Sequence, residues 1–385
     1  MLLKIIVNKS FKKAISYIFL MTSFIDERGD KFYYDSRVRE SPHAARKRLK
    51  DGELMAWDGH AHSFYSRDVK ERPEFNPVSI FFAGLKRGMS YVTITDHNEY
   101  TQNEIVAETL KNRPELLRKF VPGTEFTLND KNLGHVIHVN VYRLTRKDFE
   151  KLKMLKEDVV LFVGYCARNK LMFQYNHPLW FEMDQERSIS EKNFTAILKY
   201  GKLFPVIEVS NSNRALYENL AGEFLAKLLG KGMTSSSDGH FGDAGLSGYT
   251  LARGKNFREF WSNVVSGNAY LVKQNLKPET LRGYALDTVD QIAFQTKIKK
   301  VGERYMMETG NKKLKALISF FDRFPWLLRP ITPYVKYKIR MSSLIEEYLE
   351  NQNVIGRKAI EYFRTRALTK PNEIAVKTCD LTGGK

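Results

Sequence analysis

Between residues 53 and 251, short apolar or β-branched runs alternate with longer stretches of helical periodicity. The runs fall at 54–57, 91–95, 120–121, 136–142, 171–175, 206–209 and 233–236, and the clearest helical stretches at 77–88, 103–111 and 215–230. Strand then helix, repeated, predicts parallel β/α units. About seven units in roughly 200 residues suit a closed or nearly closed barrel better than an open sheet, and the doubly wound alternative stays open. After residue 280 the strand pattern stops. Segments 314–321, 334–341 and 344–362 read as helices, interrupted by Pro325, Pro330 and Pro333. Residues 1–50 hold one apolar helical candidate, 11–24, followed by a polar stretch. The pattern divides the chain into an N-terminal extension (1–50), a β/α domain (51–280) and an α-helical C-terminal region (281–385).

Composition narrows the class. Of 385 residues, 43% are hydrophobic and 28% charged, the balance of a folded chain with a sizeable core, which excludes wholesale disorder and collagen-like structure. The two cysteines, Cys166 and Cys379, are far apart, so neither a disulfide framework nor a thiolate metal site is expected, and a reducing, cytoplasmic setting follows. The longest uncharged stretch near the N-terminus, 14–25, is short for a transmembrane helix, and no small-residue cleavage site follows Ile25.

The net charge of +18 is unevenly spread: residues 1–50 carry 12 basic and 5 acidic side chains, and 281–385 carry 20 and 11. The middle is nearly neutral, with 30 against 28. Basic flanks concentrate anionic partners, whether substrate, nucleic acid or the surface of an anionic membrane. Within 312–340, Phe320, Phe321, Phe324, Trp326, Leu327 and Leu328 mix with Arg323, Arg329, Lys336, Lys338 and Arg340. That mixture suits either a membrane interface or a helical cap packed on the β/α domain.

Seven of the eight histidines, all but His43, lie within a predicted strand or at its edge. They occur in Asp58-Gly-His60-Ala-His62-Ser63, Thr95-Asp96-His97, His135-Val-Ile-His138-Val-Asn140, Asn176-His177-Pro178 and Ser237-Asp238-Gly-His240, with carboxylates in Gly123-Thr-Glu125 and Glu208-Val-Ser-Asn211. An H-x-H pair on a strand puts both imidazoles on one face, which suits two ligands of one metal, and a packed or solvated pair is the plain alternative. Recurrence beside successive strands favours a metal site, because loops at the C-terminal ends of β/α strands converge. Imidazole and carboxylate without thiolate suit Zn, Mn or Fe. The donors are too many for one ion and would fill three.

These motifs, in this order and spacing, resemble the PHP (polymerase and histidinol phosphatase) domain over residues 53–270, a span that includes Gly248-Tyr-Thr250 and Ser266-Gly-Asn-Ala-Tyr270. The resemblance implies a distorted seven-unit β/α barrel with a trinuclear metal centre. Carried over by position, the first metal falls to His60, His62, Glu125 and Asp238, with Glu125 bridging to a second metal that adds His138 and His177. The third falls to His97, His240 and an acidic residue after the first motif, Asp68 or, failing that, Glu71. His135, three residues from His138, projects from the opposite face of a strand, so one of the two is a ligand and His138 fits the pattern better.

The implied reaction is phosphoester hydrolysis by a metal-bridging hydroxide, with Glu125, Asp238 and His177 at its centre. Asp58 and Asp96 are expected to orient ligand imidazoles, and Arg67, Lys86 and Arg87 to hold a substrate phosphate unless they are solvated surface charges. The alternatives are a nuclease, to which the basic flanks lend only charge, a metal-dependent amidohydrolase, and a non-catalytic scaffold.

Overall fold

The computed structural model describes residues 54–66, 68–69, 71–181, 189–240, 244–245, 247–294, 329–330 and 332–369. They comprise nine strands and eleven α-helices. Two compact units emerge, one containing the described residues of 54–276 together with 350–369, the other the described residues of 277–349. The extension 1–50, the predicted helix 314–321 and the aromatic run 320–328 lie outside the described residues.

The first unit carries the strands β1 (Met55–Asp58), β2 (Tyr91–Val92), β3 (Gly123–Leu128), β4 (Ile137–Tyr142), β5 (Met172–Tyr175), β6 (Val206–Asn211), β7 (Gly232–Ser236), β8 (Tyr249–Ala252) and β9 (Ala269–Val272). They form a four-stranded sheet, β2-β1-β8-β9, and a five-stranded sheet, β3-β4-β5-β6-β7. Isolated parallel bridges, His97 to Glu125 and Ala61 to Gly239, link residues that follow β2 and β1 to the second sheet. No continuous ladder closes a barrel among the described residues.

The α/β class holds, but the all-parallel expectation is corrected. β1–β2, β5–β6 and β6–β7 are parallel, whereas β1–β8, β3–β4, β4–β5 and β8–β9 run antiparallel. Eight residues, 129–136, separate β3 from β4, too few for the helical crossover a parallel pair needs. The run at 120–121 makes only an isolated bridge from Phe120 to Val92 and yields to β3 beside it.

Around the strands lie α1 (Pro77–Lys86), α2 (Thr101–Leu110), α3 (Pro114–Leu117), α4 (Arg146–Lys153), α5 (Val159–Arg168), α6 (Glu191–Gly201), α7 (Leu216–Leu229) and α8 (Phe257–Val265). Local signals set their ends. Asn76 caps α1 by accepting from Val78 N, with Pro77 in the first turn. Gly230, at φ 62°, ends α7 in the left-handed conformation. The largest apolar cluster joins Phe126, Val139, Val141, Phe162, Ile207 and Leu225. A second surrounds Trp57 with Tyr142, Phe257, Phe260 and Trp261.

The second unit holds α9 (Pro278–Phe294), α10 (Thr332–Arg340) and the start of α11 (Leu344–Thr369). Here α9 packs on α10, and Arg282 pairs with Glu346. The part of α11 beyond residue 349 belongs to the first unit, where Phe363 is fully buried against Phe194. No described helix is long and apolar enough to cross a membrane.

Candidate metal centre

The two-residue period of the strands decides which side chains converge. In β4, Ile137, Val139 and Val141 enter the large apolar cluster and leave His138, Asn140 and Tyr142 on the other face. In β3, Phe126 and Leu128 enter it and Glu125 lies opposite. In β6, Ile207 and Val209 do so and Glu208 lies opposite.

Glu125 stands at the middle. Its Oε2 lies 3.1 Å from His60 Nε2, 3.3 Å from His62 Nε2 and 3.2 Å from His97 Nδ1. Its Oε1 lies 3.1 Å from His138 Nδ1 and 3.4 Å from His177 Nε2. Asp238 Oδ1 is 3.3 Å from Nε2 of both His60 and His62. Asp68 Oδ2 is 2.9 Å from His240 Nε2 and 3.2 Å from His97 Nε2.

Donor atoms within 4.8 Å of one another form four groups: His62, Asp68, His97 and His240; His60, His62 and Asp238; His60, Glu125 and His177; His97, Glu125 and His138. Every residue expected as a metal ligand falls in one of them. The grouping differs from the expectation: His138 and His177 meet Glu125 in separate groups, with His97 and His60 respectively, Glu125 is absent from the group of His60, His62 and Asp238, and His62 joins Asp68, His97 and His240. His135 is in none; its Nδ1 lies 3.1 Å from the carbonyl of Leu133 and its ring packs near Phe181. Glu71 is exposed and also outside the groups.

The donors fit divalent cations. Nδ1 of His62 and Nε2 of His138 are shielded from solvent with no hydrogen-bond partner, while His62 Nε2, His138 Nδ1 and His97 Nδ1 face carboxylate oxygens at 3.1–3.3 Å. Such orphaned nitrogens cost free energy unless another group takes their lone pairs. A divalent cation does so, and imidazole and carboxylate oxygen are donors that such a cation accepts.

Without metal, the centre is a buried network of opposite charges. Burial pulls the His60 and His62 rings toward neutrality. The carboxylates of Glu125, Asp238 and Glu208 nevertheless hold His60 well above its ordinary value, and Asp238 and Glu125 hold His62 up at about 10. Burial would also raise Asp68, Glu125 and Asp238, but the facing imidazoles, with Arg214 at Asp238, keep all three well below the usual carboxylate range. His177 goes down to about 4 through burial and the Arg214 charge.

A layer of partners fixes the donors. Glu208 Oε1 accepts from His60 Nδ1 at 2.9 Å and from the Ser236 hydroxyl, and its Oε2 accepts from His177 N and Asn211 Nδ2, both at 3.0 Å. Asn176 Nδ2 donates to Glu125 Oε1 at 2.9 Å. Asn211 Nδ2 and Arg214 Nη2 hold Asp238 Oδ2 at 3.0 and 3.1 Å, turning Oδ1 to the histidines. His177 (φ 23°) and Asp238 (φ 52°) both have positive φ, backbone strain of the kind that gathers at functional sites.

Asp58 and Asp96 have different tasks from those expected. Asp58 accepts from the backbone N–H of His60, Ser237 and Gly245, and Asp96 from the N–H and hydroxyl of Ser63. They hold the loops that carry ligands, and their hydrogen bonds reach no imidazole. Of the expected phosphate-binding cations, Arg67 lies outside the described residues, Lys86 is exposed, and Arg87 donates to the carbonyl of Ala244 at 3.0 Å. Among the described residues, the guanidinium that meets the cluster is Arg214, set 5.4 Å over the ring of Trp180, which in turn packs 4.8 Å from His138. Sequence reasoning singles out neither, and it gives Glu208 no role. The available signal was an acid inside the apolar run 206–209.

No family model and no curated protein matches this chain. Among solved structures, it is similar to a two-domain protein from Bacteroides vulgatus that contains a predicted PHP-like metal-dependent phosphoesterase, at 16% identity and a TM-score of 0.41, covering 57% of this chain. The match spans 65% of that protein, just under two thirds of its length. A protein from Bifidobacterium adolescentis described as a metal-dependent phosphoesterase matches at 15% identity and a TM-score of 0.39, over 54% of this chain and 96% of that one. The lesion-specific endonuclease EndoQ from Pyrococcus furiosus matches at 12% and 0.36, over 81% and 91%. Likeness at this level leaves the chemistry to be argued from the site itself.

Proposed function

We propose that this chain is a metal-dependent phosphoesterase. His60, His62, Asp238 and one oxygen of Glu125 would hold one divalent cation, the other oxygen of Glu125 with His138 and His177 a second, and Asp68, His97 and His240 a third. The observation that supports this reading best is the sharing of residues between donor groups: His60, His62, His97 and Glu125 each belong to two. A single ion has no use for such an arrangement. When bound, the cations supply Lewis acidity toward phosphoryl oxygens and acidify water.

The chain's own residues prepare the site. The 2.9 Å contact with Glu208 engages His60 at Nδ1 and leaves Nε2 turned to Glu125 and Asp238. Asn211 and Arg214 keep one oxygen of Asp238 occupied and the other free to ligate. Arg214 also brings a fixed positive charge against the cluster, where an anionic ester gains more from it than a neutral amide does.

The test is metal content by mass spectrometry on protein purified without chelator, with turnover of p-nitrophenyl phosphate, bis-p-nitrophenyl phosphate and an anilide, for wild type and His60→Ala. About three ions per chain and phosphoester turnover that His60→Ala abolishes are expected. Protein that stays metal-free and inactive after Mn or Zn is added would overturn the reading, and turnover of the anilide alone would make the chain an amidohydrolase.

A further inference from the structure

Helix α10 presents two unlike faces. Thr332 and Ile339 are buried, while Tyr334, Tyr337 and Met341, just past the helix end, are 54%, 54% and 69% exposed. These three are spaced i, i+3 and i+7, so they form one stripe, about 10 Å long at the rise of an α-helix. Exposed side chains scattered singly need no explanation, but an aligned stripe of large ones does. Its flanks are cationic. Lys338 and Arg340 are exposed, the Lys338 ammonium sits 5.6 Å over the Tyr334 ring, and the helix contains no acidic residue.

We propose that this face of α10 docks on the surface of an anionic lipid bilayer. Tyrosine places an apolar ring and a polar tip at the boundary between hydrocarbon and headgroups. Lysine and arginine extend charged heads toward lipid phosphates while their stems lie along apolar surface. The charge agrees, since residues 281–385 carry 20 basic against 11 acidic side chains in a chain of net charge +18. Nucleic acid would use the cations and the tyrosine rings but has no use for an exposed Met341 in line with them, which an apolar phase accommodates. The inference is independent of the chemistry at the metal centre.

The test is flotation of the full chain with vesicles of phosphatidylcholine alone or mixed with phosphatidylserine, alongside binding of a single-stranded oligonucleotide. Wild type is expected to float with the mixed vesicles only. Lys338→Glu and Arg340→Glu should each weaken this by about fivefold or more, and the triple variant Tyr334→Ser/Tyr337→Ser/Met341→Ser by at least as much, with oligonucleotide binding unchanged. Circular dichroism checks folding, and the charge variants decide if the triple variant unfolds. Wild type that ignores phosphatidylserine, or folded variants that float like wild type, would overturn the proposal. Loss of oligonucleotide binding with flotation intact would assign the face to nucleic acid instead.

Discussion

Glu208 shows how much one carboxylate can organise. It holds the His60 ring through one oxygen and the backbone N–H of His177 through the other, so it positions two candidate ligands 117 residues apart. Replacing it by glutamine keeps the shape and removes the charge that makes the imidazole a better donor. Glu208→Gln should therefore lower metal affinity by about 10- to 100-fold with little change in fold, read by calorimetric metal titration beside circular dichroism. Unchanged affinity and turnover would leave Glu208 a structural residue only. Asp58 and Asp96 differ in kind: burial pushes them up to about 6 and about 7, and they serve backbone N–H and hydroxyl groups. The ligand types were legible in the sequence because each motif is local. The task of a supporting acid was not, because its partner arrives from a distant strand.

At the scale of elements, the loop after β1 carries His60 and His62, and Trp57 anchors that strand. Its Nε1 donates to Thr93 Oγ1 at 2.8 Å, and its ring stands edge-on to Tyr142 at 4.9 Å and Phe257 at 5.3 Å. Gly59 follows from this packing, for a Cβ there would lie 2.4 Å from the indole. Trp57→Ala should cost about 3–5 kcal/mol of unfolding free energy, measured by urea denaturation, and should also reduce metal retention because His60 is three residues away. A cost under about 1 kcal/mol would mean that the cluster closes over the gap and that β1 is held elsewhere. The period-two pattern located most strands correctly within a residue or two. It missed β3, where Gly, Thr and Glu interrupt the apolar residues, and the four-residue strands β8 and β9.

For the whole molecule, the proposed metal centre sets cations and protons in competition for the same groups. His62 is raised from 6.5 to about 10 in the metal-free fold, so its stabilising contribution is complete below about 6.5 and lost as pH rises through about 10. Glu125, Asp238 and Asp68 are lowered, so theirs is complete above the ordinary carboxylate range and lost as pH falls below it. Metal must displace protons from the raised imidazoles, so binding weakens toward acid. The gain in Tm on adding Zn or Mn to chelator-treated protein should then grow from about pH 6 to about pH 9; at a concentration 100-fold above Kd the stabilisation is about 2.7 kcal/mol. Scanning fluorimetry across that range checks it, and a gain independent of pH would show that the titrating imidazoles are not the ligands.

The candidate donors can be read along the chain because each motif is local, and strand alternation sets the direction of Glu125 in β3 and His138 in β4, whereas His135 precedes β4 and the remaining candidates lie on the loops that follow strands. The same reading yields an α/β chain with a helical C-terminal region. Strand direction cannot be read this way, since β3–β4–β5 pair antiparallel through contacts that apolar periodicity does not encode. Nor can the partnership of His60 with Glu208, 148 residues on, or of Arg214 with Asp238. Those pairs exist because folding removes water from charges that must then satisfy one another, and which charges meet is settled by packing.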